Sequence, residues 1–383
     1  MKNLGPTLLA LATLAQLGGC KEYFSVDEAC NDKLSGDKDL LPGERDAMLR
    51  LNCHRRLSKL AGATANTQVQ QAARNALNYV LLNPTATFLN GSERERGWLR
   101  QLSNKRGFTG GGVRDRLTDP VTGTGYSYFD ELNTGTREFI DVQWTFGEEP
   151  LPSGAAAIDH LIRDAEFRQF AMQGTWLDGA FAEVELTTEW FVTAGMPEPL
   201  PTSGRAYYAV QMYTEPHREH VDSPIVYPKE GMKDVPTWSY THVPALGALN
   251  DYTQTGFPLT FTFGAADEAN FDEVEFNQYH GEIQSIGVIG PDDRPVDLEL
   301  VYPGDESNGG FPDGIWLRTT LAAYPKEPLV PGEKYRVAAV VSSPEGEWDY
   351  DYEFTTMADD PGVNPELQAI GAYTTTTATT STP

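Results

Sequence analysis

"LRLNCHRRLSKLAGATANTQVQQAARNALNYV", residues 49–80, carries two apolar stripes at helical spacing. Leu49, Cys53, Leu57 and Leu60 recur at i, i+4, i+8 and i+11, and Val69, Ala72, Ala73, Ala76, Leu77 and Val80 mark one face of a second helix. The first pattern starts near Glu44, and the second should stop at Asn83-Pro84, because a residue before proline is pushed out of the α region. Downstream, residues 84–154 read as glycine- and turn-rich. "SGAAAIDHLIRDAEFRQFAM" (153–172) then predicts one helix with Ser153 as its cap and Ile158, Leu161, Ile162 and Ala165 facing inward. The aromatic and β-branched runs "GAFAEVEL" (179–186) and "RAYYAVQMYTEP" (205–216) predict strands. Helices followed by antiparallel strands imply an α+β domain.

Past residue 222 the texture changes to short apolar runs between proline and glycine turns: "PLTFTFG", "IQSIGVIG", "VDLELVYP", "GIWLRTTL", "KYRVAAVV" and "DYDYEFTT". Six such segments at this spacing predict an all-β immunoglobulin-like sandwich over 222–357. In "LVPGEKYRVAAVV" Tyr335 stands where a tyrosine corner would be. The threonine-rich end, "AYTTTTATTSTP", cannot bury a core, so 358–383 is expected to be a disordered tail.

The chain of 383 residues is long enough for two domains, and its 40% hydrophobic and 11% aromatic content suffices for real cores. Its 29 Lys+Arg against 55 Asp+Glu give a formal charge of -26, with no basic run, which argues against a nucleic-acid partner. At the N-terminus Lys2 precedes the apolar stretch "LGPTLLALATLAQL", too short to span a bilayer, and then "LGGC" at 17–20. That ending resembles the bacterial lipobox. The resemblance implies a signal peptide over 1–19, lipidation (a palmitate-type acylation) of Cys20, a tether over 20–42 and a membrane partner reached through the lipid anchor. An ordinary cleaved signal peptide is the alternative. Lys21 follows the cysteine, which favours the outer membrane or cell surface. Cys30 and Cys53 are the remaining cysteines, and in an oxidising compartment they are expected to close a disulfide worth about 3 kcal/mol by loop entropy, a buried free thiol at Cys53 being the other reading.

The order of landmarks over 43–215 resembles the CAP superfamily, the cysteine-rich secretory, antigen 5 and pathogenesis-related group, in a bacterial exported form. The landmarks are the Asn-x-x-Arg helix (Asn52, Arg55) with the alanine-rich helix after it, "GFTGGGVRDRL" (107–117), "GTGYSYFDELNTG" (123–135) and "AIDHLIRDAEFRQFAM" (157–172). The resemblance implies a three-layer α-β-α sandwich with a cleft, ahead of the immunoglobulin-like region. That cleft normally carries two histidines with acidic partners. Here Glu131 matches the acidic position, while the His-Arg position reads Phe167-Arg168, and phenylalanine can neither ligate a metal nor act as a base. His160 lies two turns before Phe167. The expected set is therefore a degenerate cleft of Glu131, Phe167, Arg168 and His160, without cofactor or catalytic residue, suited to a small apolar or glycan ligand. The alternative is a metal-dependent hydrolase using Glu131 and His160.

"GFTGGGVRDRL" lacks the Gly-Lys-Ser/Thr of a phosphate loop, so its glycines are read as permitting tight turns. "EPHREH" (215–220) offers His217 and His220 at i, i+3, but Pro216 argues against a helical zinc site. "GAADEANFDEVEF" and "PGDESNGGFPDG" gather acidic groups without EF-hand spacing and read as turns.

Overall fold

The structure is a computed structural model that describes residues 22–31, 33–85, 101, 103–110, 113–117, 134–148, 150–172, 176–196, 198–214, 224–240, 254–263, 281–301, 320–343, 346–360 and 367–369. In chain order the N-terminal region holds α1 (Val26–Ala29), α2 (Pro42–Leu57), β1 (Thr64–Ala65), α3 (Thr67–Leu82), α4 (Val113–Arg116), β2 (Thr134–Thr145), α5 (Ala155–Leu161), α6 (Ala165–Ala171), β3 (Trp176–Leu186), α7 (Thr188–Ala194) and β4 (Ser203–Thr214). The C-terminal region holds β5 (Ile225–Tyr227), β6 (Trp238–Tyr240), β7 (Gln254–Gly256), β8 (Leu259–Thr262), β9 (Glu282–Ile289), β10 (Leu298–Val301), β11 (Thr320–Pro325), β12 (Lys334–Ser343) and β13 (Gly346–Thr355), and β14 (Leu367–Ala369) follows. This is an α+β molecule: a mixed N-terminal region of helices and one sheet, then several antiparallel sheets.

The N-terminal sheet runs β1-β3-β4-β2-β14, with β1 parallel to β3 and the other pairs antiparallel. Side chains alternate across a strand, so each strand feeds two cores. Phe139, Phe181, Tyr207 and Ala209 pack with Met48, Leu51, Ile158, Leu161 and Phe167 from α2, α5 and α6. Val142, Trp144, Ala180, Ala206, Tyr208 and Val210 face the other way, toward Val69, Ala73, Ala76 and Val80 of α3 and Trp190 and Phe191 of α7. Helices thus cover both faces, and both apolar stripes read from 49–80 point inward. Asn52 and Arg55 set the turn between α2 and α3. Asn52 exchanges hydrogen bonds with the backbone of Ala63 at 2.9 and 2.7 Å, and Arg55 donates to the carbonyls of Ala61 at 2.8 Å and Ala171 at 2.7 Å.

The C-terminal region is built from a sheet running β10-β11-β8-β5 and another running β13-β12-β9, with the β6-β7 ribbon beside them. On β12, Tyr335, Val337, Ala339 and Val341 are buried while Lys334, Arg336 and Ala338 are exposed, the period-2 pattern of a half-covered strand.

Five expectations are corrected. The single helix over 153–172 is two, α5 and α6. Arg163 N–H bonds the His160 carbonyl and Asp164 N–H that of Leu161, tightening the chain into a turn before α6 restarts. Gly154, at φ +58°, occupies the cap position instead of Ser153, with no side-chain cap bond. The turn-rich stretch 84–154 contains α4 and the twelve-residue β2, the strand that β4 pairs along its full length. The tether over 20–42 is docked from residue 22 onward, held by α1 and by the Cys30–Cys53 disulfide, which does form. The tail over 358–383 begins inside the fold: Asp360 has a fully shielded side chain, and Leu367–Ala369 pairs with β2 at Gln143–Thr145. Residues 370–383 lie outside the described residues.

Candidate functional site

Of the expected cleft residues, Glu131 lies outside the described residues, as do His217, His220 and both acidic β-loops. The other three, Phe167, Arg168 and His160, lie within the described residues. Phe167 is fully buried, its ring meeting Phe139 edge-on at 5.0 Å and lying 5.9 Å from Phe170, so it is a core residue of the sheet face. Arg168, the next residue, projects from a different side of the helix, since neighbouring positions do not share a face. Its guanidinium donates to the carbonyls of Pro258 at 2.6 Å and Tyr227 at 3.3 Å, and lies 4.3 Å from the Phe257 ring centroid. Burial pushes this guanidinium down to about 10. His160 is half-buried on α5, and Arg168 is fully enclosed by the C-terminal region.

Arg168 belongs to a polar seam between the two regions of the molecule. Arg163, from the turn between α5 and α6, makes a two-pronged ion pair with Asp360 at 2.9 and 3.1 Å, donates to the Trp238 carbonyl at 3.2 Å and stacks over the Trp238 ring at 4.5 Å. Asp360 also accepts from the backbone N–H and hydroxyl of Thr237 at 2.6 and 2.8 Å. The carboxylate is buried, but Arg163 and these donors outweigh the cost and hold its pKa below the usual range.

The seam's second element is a histidine absent from the expected set. His54, on α2, sits between Tyr227 (Nδ1 to hydroxyl, 2.8 Å) and Asp159 (Nε2 to Oδ1, 2.9 Å), and Arg50 donates to the same oxygen at 2.6 Å. Burial would raise the Asp159 carboxyl; the bonds and charges of His54 and Arg50 overcome it and keep the group ionised. An ionised carboxylate only accepts, so Nε2 carries the proton and Nδ1 receives the Tyr227 hydroxyl. Burial lowers the His54 pKa, in spite of Asp159. Carboxylate, imidazole and hydroxyl thus stand in the order used to activate a nucleophile. The hydroxyl end is the sealed end, however: Tyr227 is 1% exposed, and burial pushes its phenol up, away from ionisation. The open end is Asp159, whose side chain is 41% exposed and tied to Arg50, which also pairs with Asp27. The arrangement joins α2, α5 and β5; it does not present a nucleophile to solvent.

A third buried polar group accounts for "GFTGGGVRDRL". Arg116 turns inward, 5% exposed, and pairs with Glu138 of β2 and, at 2.7 Å, with the Tyr208 hydroxyl of β4, which itself donates to Glu138. Gly110, at φ +149°, allows this: a Cβ there would lie 2.6 Å from the Arg116 backbone nitrogen. The glycine serves close packing and Arg116 is spent internally, so neither forms a phosphate cradle. Among the described residues no three His, Cys, Asp or Glu side chains gather in a way that could hold a metal ion, and no helix is long and apolar enough to cross a membrane.

His54 and Asp159 were legible only as letters: "NCHRR" and "AIDHL" carry a histidine and an aspartate 105 residues apart with no spacing rule to join them. The chain matches no protein-family model, and no curated protein matches it either.

Proposed function

We propose that this is an exported, lipid-anchored, non-catalytic binding or envelope-associated protein, a CAP-like three-layer region followed by an immunoglobulin-like sandwich, attached to the outer membrane or cell surface through Cys20. The observation that carries the non-catalytic reading is the fate of Phe167 and Arg168. The residue at the family's histidine position seals an apolar core, and its neighbour is consumed by the seam.

Helices on both faces of a mostly antiparallel sheet support the three-layer reading. For the C-terminal region, labelling β5 and β8 to β13 as strands A to G gives sheets D-E-B-A and G-F-C, the arrangement of a constant-type immunoglobulin domain. Tyr335 adds to this: its hydroxyl accepts the Val330 N–H at 2.8 Å, five residues upstream, as a tyrosine corner does. The disulfide is in keeping with export. A small apolar molecule or a glycan is the ligand class for a cleft with no catalytic set.

The test has two arms. Mass spectrometry of the membrane fraction should find acylated Cys20, and Cys20→Ala should release the protein; a soluble, unmodified product as the sole species overturns the anchor. Metal content of the purified full-length chain discriminates the two readings: stoichiometric zinc that disappears in Glu131→Ala would favour the hydrolase alternative using Glu131 and His160. Ligand screening belongs on the full chain, because the seam ties the two regions together.

A further inference from the structure

We infer that the face around Phe24, Lys59 and Lys233 lies directly on the phospholipid headgroups, so that the body is seated on the membrane and not suspended from it. The inference rests on the proposed acylation of Cys20 and adds to it the orientation of the molecule.

Chain length sets the geometry. Only Lys21 stands between Cys20 and Glu22, so two steps of chain, a reach of ~7 Å when fully extended, join them, and from Glu22 onward the segment is fixed to the body. The Phe24 carbonyl accepts the Lys233 N–H at 2.6 Å, and the Phe24 ring lies 5.5 Å from the Lys229 ammonium. The ring crosses Gly231 so closely that a Cβ there would come within 2.8 Å of it. Glu22 reaches Lys59 at 3.5 Å and Lys229 at 3.8 Å. Arg56 donates to the Ala29 carbonyl, and the disulfide from Cys30 to Cys53 closes the attachment to α2. An acyl chain on Cys20 therefore enters the bilayer beside the end of α2 and the loop 229–233.

The surface at that point suits headgroups. Phe24 is 38% exposed, and Lys59 and Lys233 are exposed next to Glu22, Glu28, Glu230 and Asp234. Such a mixed-sign rim, on a chain whose net charge is -26, fits a zwitterionic headgroup layer of paired phosphates and ammonium groups, with the covalent anchor supplying the attachment.

Depth-dependent fluorescence quenching tests this. With Cys20 acylated and Cys30–Cys53 closed, a thiol introduced as Lys59→Cys or Lys233→Cys is the single reactive one and takes an environment-sensitive fluorophore. Glu347→Cys is the control. The Glu353 carbonyl accepts the Gly231 N–H at 2.7 Å, and Glu347 lies six residues farther along β13, or about 20 Å away. In phosphatidylcholine vesicles containing a headgroup-level nitroxide lipid, labels at 59 and 233 should be quenched at least threefold more than the label at 347. A Gly/Ser spacer of about twelve residues between Lys21 and Glu22 should bring all three to the same low level with acylation intact. Equal weak quenching in acylated, vesicle-bound protein without the spacer overturns the seating and leaves the anchor standing. A Cys20 without acyl chains overturns both.

Discussion

Phe167 and Arg168 are adjacent in the chain, equally buried, and held by opposite physics. The Phe167 side of α6 closes an apolar core with Phe139, Phe170 and Trp176, in which any well-shaped hydrophobic side chain contributes. The Arg168 side closes the seam, where charged and polar groups from distant stretches of the chain must meet: Arg163 with Asp360, His54 with Asp159 and Tyr227, Arg168 with two backbone carbonyls. Core burial is tolerant of the exact side chain, and the apolar cluster that includes Phe167 runs on into Tyr227, Phe257 and Leu259 of the C-terminal region. Arg163 and Arg168 are buried and compensated from the C-terminal region, by Asp360 and by the Pro258 and Tyr227 carbonyls, so this part of the seam works only when both regions are folded and docked. The two regions are therefore joined both by polar contacts and by a shared apolar cluster, and should unfold as one body.

The largest effect should come from breaking the seam at its ion pair. Asp360→Ala leaves Arg163 buried without its carboxylate and strips Thr237 of an acceptor, and should cost about 4 kcal/mol. Urea unfolding is the measurement, and a single transition that moves as a whole is expected. Two separated transitions would break the claim that the regions unfold together. Phe167→Ala should cost about 3 kcal/mol by creating a core cavity, with the same single transition. A loss near zero would place the ring outside the core.

The third prediction sharpens the comparison through pH, since a seam titrates and an apolar core does not. The folded pKa of His54 is lowered below its ordinary 6.5, so its contribution is fully present above that value and is lost as pH falls through the lower folded one. Asp159 is likewise held below 3.8, so its share is fully present above 3.8 and is lost only as pH falls through the lower folded value. Asp141 on β2, pushed up to about 7 by burial, has the opposite sign: its contribution is full below 3.8 and declines as pH rises through about 7. The urea midpoint of His54→Gln should therefore fall less than that of the native chain between pH 7 and pH 5. Parallel curves would show that His54 does not titrate differently on folding. The smallest effect is expected at the tyrosine corner: Tyr335→Phe removes one hydrogen bond, from the Val330 N–H, and should cost about 1 kcal/mol. Thermal denaturation resolves a change of that size.

Much of the fold was legible locally. The stripes of α2 and α3 and the alternation of β12 are short-range patterns created by a single buried face; α3 and β12 fall as read, while α2 ends at Leu57, before Leu60, and buries Met48 and Leu51 more fully than Leu49. β2 escaped because its centre, "REFIDVQW", carries Arg137, Glu138 and Asp141 where a strand between two helical layers should be apolar. Glu138 is tolerated there only because Arg116 and Tyr208 arrive from elsewhere. The break between α5 and α6 gave no local sign either: the helical periodicity of 153–172 is good, and Arg163, at the break, pairs with a residue 197 positions away.

What the sequence determined by itself, then, is whatever depends on neighbours within a few residues: helix faces, strand alternation, the position of Tyr335 and the pair of cysteines available to close. The tertiary structure alone decided which polar residues matter. His54, Asp159, Arg163, Arg168, Tyr227 and Asp360 each look ordinary in their own segment, and a buried charge or hydroxyl acquires its meaning only from the partner that replaces its lost water. Those partners lie 105, 173 and 197 residues apart, beyond any periodicity, and are brought together only when the chain folds back on itself.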